Sequence, residues 1–180
     1  MTLAVLAKML CLASGIFGRP AWDDARCSEH AGYVMEAADR HGVDPVLMVA
    51  VNIFECDMGD KDNPIRRDGK LVGYDACPMG VRIIGVEHRQ KYGPADLYEL
   101  AAVRMERWKR WCERSHRGRH HHYIKHYNEG NPAYAPQILA VMAILKLRGA
   151  RHGELLKDRT IEIVRRLARL FVRGWSEPQS

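Results

Sequence analysis

The chain has no CxxC pair, and its five cysteines, Cys11, Cys27, Cys56, Cys77 and Cys112, follow no zinc-finger spacing. A closely spaced structural zinc motif is therefore not what organises the fold. There is no internal repeat and no low-complexity tract, which sets aside solenoids and fibrous arrays. No apolar run has the length of a membrane span: the longest candidate, "MTLAVLAKMLCLASGIFG", is short and is interrupted by Lys8. The composition of a disordered chain is missing too, with 47% hydrophobic and 28% charged residues.

What is present is 180 residues, enough for one domain with a real core. The formal net charge is +6, which suits an anionic partner such as nucleic acid, an anionic membrane or an anionic wall polymer, and equally suits plain solubility. The apolar start is similar to a secretion signal, with small residues near its end, although no charged side chain precedes its apolar run. Residues 1–21 are read as a cleaved signal, the alternative being an amphipathic first helix packed on the domain. Removal of that segment would leave four cysteines, and an even count in an exported chain favours two disulfides with three possible connectivities.

Along the chain the pattern is helical. Ser28 is expected to cap a helix whose apolar face includes Ala31, Val34 and Ala38 and which Gly42 stops. Asp44-Pro45 reads as an N-cap followed by a first-turn proline, opening a helix over 45–56 that is apolar on nearly every face and so should be central. Glycines, prolines and aspartates break the helical pattern over 57–80, where "RRDGKLVGY" suggests a hairpin turning at Asp-Gly. From Val81 helix is expected again. A long helix should run over 94–114, with Leu97, Leu100, Ala101, Met105 and Trp108 on one side. After the basic linker "RSHRGRHHH" come Tyr123 to Asn128, a turn at Gly130 and Pro132, an apolar helix over 135–147, and an amphipathic helix over 154–173. The expected fold class is mainly α, with at most a short β-hairpin.

Glu55 stands where the apolar run of the central helix ends. A carboxylate in the last turn meets the negative end of the helix dipole, and burial beside Ile53 and Phe54 would add to the cost of ionising it. Both effects keep the acid protonated toward neutral pH, as a general acid requires. Taken by position alone, it is equally an exposed glutamate at a helix end.

The surroundings carry more. "HGVDPVLMVAVNIFECDMG", then the glycine turn in "CPMGVRII", then "HYNEGNPAY" leading into "PQILAVMAILK", occur in that order. Together they resemble the lytic transglycosylase family, a lysozyme-like fold related to goose-type lysozyme, over about residues 28–148. The resemblance implies a lysozyme-like helical domain over 22–148, followed by a C-terminal amphipathic helix and tail over 149–180. It implies that Glu55 is the catalytic acid and that Tyr127, Asn128, Tyr74, Met79 and Gly80 meet the substrate. The activity implied is cleavage of the MurNAc–GlcNAc bond of peptidoglycan to a 1,6-anhydro product, with a lysozyme-like hydrolase or a weakened peptidoglycan-binding module as alternatives. Two departures stand out: Cys56 replaces the family's serine after the glutamate, and Arg82-Ile83 replaces its Met-Gln. Because the resemblance sets the glycine turn beside the end of the central helix, a Cys56–Cys77 disulfide is expected, with Cys27–Cys112 as the remaining pair.

Asp57, Asp60, Asp62 and Asp75 are candidates for a second catalytic carboxylate, or are solvated turn residues. His116, His120, His121, His122 and His126 cluster in sequence, and His122 and His126 have the i,i+4 spacing of paired metal ligands. No third ligand completes a recognised motif, so this stretch is read as a solvated basic segment, and no metal and no cofactor are expected. Nucleic-acid binding is not expected, since the arginines of the last helix alternate with an apolar stripe and lack interleaved aromatics. The expected partner is the glycan strand of peptidoglycan, met by a monomer exported to the periplasm or beyond the cell, with no stable membrane span.

Overall fold

The structure, a computed structural model, describes residues 1–17, 20–115 and 121–150. It is mainly helical with a small antiparallel sheet. Helices α1 (Leu3–Phe17), α2 (Asp24–His41) and α3 (Pro45–Cys56) come first. Strands β1 (Asn63–Arg67), β2 (Lys70–Ala76) and β3 (Val81–Ile84) follow, then α4 (Val86–Arg89), α5 (Pro94–Arg114), a 3₁₀ turn (Tyr123–Tyr127) and α6 (Tyr134–Ala150). The amphipathic helix expected over 154–173 lies outside the described residues, as do His116 and His120 of the basic linker.

The centre is α3, whose residues from Val46 to Ile53 are all buried. Valines lower helix propensity by a few tenths of a kcal/mol each, but burying one contributes about 1.5–3 kcal/mol, so packing decides the conformation. Asp44 caps the helix by accepting from the Val46 amide at 2.9 Å, with Pro45 in the first turn. Asp57, in the left-handed region at φ 48°, ends it. Helices α1, α2 and α6 pack against α3, and α5 packs against α2.

Beneath α3 lies a buried polar chain. The Asn52 side-chain amide donates to the Tyr98 hydroxyl at 3.0 Å, and that hydroxyl lies 3.0 Å from His30 Nδ1. Burial first, then the Arg26 charge, lowers the His30 pKa to about 4. The ring is therefore neutral near pH 7 and accepts the Tyr98 proton at Nδ1. The polar chain links α2, α3 and α5 at their junction, and the Asn52 side-chain oxygen is buried there without a partner.

Several details depart from the sequence reading. Helix α2 starts at Asp24 with Asp23 as its cap, accepting from the Arg26 amide at 2.8 Å, rather than at Ser28. Ser28 instead donates back to the Asp24 carbonyl at 2.8 Å, within the helix. The hairpin turns at Asp68-Gly69 as expected, both residues having positive φ (50° and 76°). Val81–Ile84, expected as helix, is instead a third strand paired with β2 in the small antiparallel sheet. Its β-branched residues and the close approach of Gly73 explain this. A Cβ on Gly73 would lie 2.2 Å from the Ile83 carbonyl, so the strands pair that tightly only with glycine there. Within α5, Leu97, Ala101 and Met105 are buried, but Leu100 lies on the exposed side.

The apolar start is a packed helix in this structure. Leu6, Met9, Leu10 and Ala13 are buried in the main core, and Cys11 is bonded to Cys27 of α2 with a Cα separation of 5.5 Å. The expected Cys27–Cys112 disulfide is therefore corrected: α1 lies along α2 and supplies the partner of Cys27. Cys112 is a buried free thiol. The second expected pair, Cys56–Cys77, is present. No helix among the described residues is long and apolar enough to cross a membrane.

Candidate functional site

A cleft of about 290 Å³ opens at the C-terminal end of α3. Glu55 forms part of its floor, and Asp75 of β2, Arg82 of β3 and Arg104 of α5 line it with Gly80, Tyr127, Asn128 and Glu129. The sheet, α5 and the 3₁₀ turn thus converge on a carboxyl group at the end of α3.

One wall is fixed by backbone. Disulfide Cys56–Cys77 joins the last residue of α3 to the segment before the glycine turn. The Cys77 amide donates to Asp62 at 2.9 Å, and Arg89 donates to the same carboxylate at 2.6 and 3.2 Å. Gly80 then lies directly on Glu55 with φ 61°. A Cβ there would meet Glu55 Oε2 at 2.7 Å and its Cβ at 2.8 Å. Both the positive φ and the contact admit only glycine at this position.

A second wall is held by side chains. The Tyr127 hydroxyl donates to the Met79 carbonyl at 2.7 Å, tying the 3₁₀ turn to the glycine turn. Arg104 donates to the Tyr127 carbonyl at 2.9 Å, and its guanidinium lies 4.7 Å from the centre of the Tyr127 ring. Tyr134 at the start of α6 stacks parallel to Tyr127 at 6.4 Å. Its buried hydroxyl has no hydrogen-bond partner of ordinary geometry, yet it sits near enough to Glu55 to affect the proton affinity of that carboxyl.

Burial is the main influence on Glu55 and raises its pKa. The Tyr134 hydroxyl and the Arg104 charge work in the opposite direction, and the Asp75 charge works with burial. The balance lies on the raised side, so the group holds its proton to higher pH than an exposed glutamate. A carboxylic acid that keeps its proton and opens on a cleft, with a cation and a second carboxylate around it, can act as a general acid.

The structure brings Glu55, Gly80, Tyr127 and Asn128 together at the cleft. Met79 is fully buried, and it serves the site through its backbone carbonyl rather than its side chain. Tyr74 is not among the lining residues; it lies in the middle strand, paired with Pro64 and Ile83. Of the four loop aspartates only Asp75 reaches the cleft. Asp57 ends α3, Asp60 pairs with Arg26, and Asp62 pairs with Arg89. Arg82, at the position where the resemblance implied methionine, lines the cleft and holds Asp75 at 3.0 Å, while Ile83 joins a small core with Ala76 and Leu97. Arg104, Glu129 and Tyr134 were missed by the sequence reading. Nothing in their local pattern separates them from surface charges and a core tyrosine. Neither a protein-family model nor a curated protein nor a solved structure matches the chain.

Proposed function

We propose that the protein is a peptidoglycan lytic transglycosylase in which Glu55 is the single general acid and base. The observation that carries this reading is a carboxyl with raised pKa, lodged against Gly80 at the floor of a cleft where Tyr127 and Asn128 also lie. Glu55 would donate its proton to the glycosidic oxygen as the bond from C1 of the MurNAc ring breaks. The carbonyl oxygen of the substrate's own N-acetyl group would support C1. The Glu55 carboxylate would then take the proton of the C6 hydroxyl as that oxygen attacks C1, giving the 1,6-anhydro product. Acid and base are the same group, so the proton balance closes within one cycle. Export to the cell envelope belongs to the same reading, and the two disulfides are compatible with it.

The second reading is a lysozyme-like hydrolase, favoured by Asp75 on the cleft wall. Mass spectrometry of muropeptides released from purified peptidoglycan separates the two. The expected result is anhydro-muropeptides from the wild type and a loss of about 10²–10⁴-fold in Glu55→Gln. Reducing-end products would favour the hydrolase, and no release from several peptidoglycan types would favour a binding module. The pH profile adds a check. Activity should fall on the alkaline side as pH rises through the raised Glu55 pKa, because the acid form is lost there. Since the Asp75 charge raises that pKa, Asp75→Asn should move the alkaline limb to lower pH while retaining turnover. Abolition of turnover by that substitution would favour a two-carboxylate mechanism.

A further inference from the structure

Where the 3₁₀ turn packs on α5, three metal-ligating side chains come together. Cys112 lies in the last turns of α5, and His121 and His126 flank the start and end of the segment that packs on it. Their donor atoms all fall within 4.8 Å of one another, and among the described residues no other such group occurs. The two Nε2 atoms face each other at 2.8 Å. His126 is oriented by Glu129, which accepts from its Nδ1 at 2.6 Å, and this leaves the lone pair on Nε2. Its ring is packed between Trp108, stacked at 4.6 Å, and the edge of Trp111 at 5.0 Å.

We propose that Cys112, His121 and His126 form a binding site for a divalent ion of the zinc type, with Glu129 as the positioning carboxylate. The donor set, one thiolate and two imidazoles, suits a borderline ion and offers nothing to Mg²⁺ or Ca²⁺, which take oxygen ligands. Zn–N bonds of about 2.05 Å at a tetrahedral angle need the two nitrogens about 3.3 Å apart, so a small opening of the pair admits the ion. The ion would give a role to Cys112, the cysteine left outside the two disulfides. His122, which has the i,i+4 spacing to His126, is not part of the group, because its Nδ1 accepts from the Ile124 amide at 3.2 Å and caps the 3₁₀ turn. Bound there, the ion fastens the 3₁₀ turn to α5. The turn ends in Tyr127 and Glu129 follows shortly after, so the ion would stiffen the side-chain-held wall of the cleft. The site stands whatever reaction the cleft performs.

The test uses the full, oxidised chain stripped of metal with a chelator. Cobalt(II) is titrated as a spectroscopic probe, and zinc competes against a chromogenic chelator of known affinity. Roughly one ion per chain is expected, with a thiolate-to-cobalt charge-transfer band that zinc removes. Iodoacetamide labelling of Cys112 should slow when zinc is bound. Glu129→Gln, an exposed and conservative change, should weaken zinc binding about 10–100-fold. Cys112→Ala should abolish the charge-transfer band, and His88→Ala, remote in sequence and exposed, should change nothing. Circular dichroism of each metal-free variant separates lost binding from lost folding. The proposal is overturned by any of three results: no stoichiometric uptake, a cobalt spectrum without the thiolate band, or folded Cys112→Ala and Glu129→Gln variants that bind zinc as tightly as the wild type.

Discussion

The two walls of the cleft are built by different physics. The wall formed by the end of α3 and the glycine turn is set by covalent and backbone constraints: a disulfide, a positive φ and a contact that only glycine tolerates. The wall formed by the 3₁₀ turn is set by side chains reaching across from α5 and α6, through Arg104, Tyr127 and Tyr134. The first wall holds the acid, and any shift in it moves Glu55 directly. The second is held by several separate side-chain contacts. On the proposed function, the reacting group is placed by covalent and backbone constraints and the binding groups by side-chain contacts.

Removal of the Cys56–Cys77 bond, by Cys56→Ser with Cys77→Ser, should bring the largest change. The bond closes a loop of 21 residues, so its loss should lower stability by about 3 kcal/mol, read as a drop in denaturation midpoint. An unchanged midpoint would mean that the first wall is held by packing, as the second is. Gly80→Ala comes next. With the added Cβ pressing on Glu55, catalytic turnover should fall about a hundredfold through misplacement of the acid, while circular dichroism stays close to wild type. Full activity in that variant would remove the steric account of the glycine. The smallest effect is expected at the second wall. Tyr127→Phe deletes the bond to the Met79 carbonyl and should cost about 1–2 kcal/mol of stability, with KM affected more than kcat. An effect on kcat as large as that of Gly80→Ala would erase the distinction between the walls.

Much of the first wall was legible in the sequence. Asp44-Pro45 announces the start of α3, and its unbroken apolar run announces burial. That the turn at Gly80 returns to Glu55 was implied by the family resemblance and not by any local pattern. The second wall was legible only where it carried a motif, at Tyr127 and Asn128. Tyr74 lies outside the cleft lining, which the sequence could not foresee because an aromatic residue in a hairpin looks the same whichever way it faces. Cys27–Cys112 was misassigned because the partner of Cys27 depends on how α1 lies on α2, which no local pattern encodes.

By itself the sequence determined the mainly helical class, the ends of the central helix and the position of its terminal acid. Those follow from short-range rules: capping, apolar periodicity and the conformational freedom of glycine. Tertiary structure alone decided which aspartate faces Glu55, which cysteine stays reduced, and that two histidines five apart in sequence meet a thiol. Those are contacts between elements, set by how helices pack and where loops return, and side-chain chemistry becomes a site only once packing has fixed the distances.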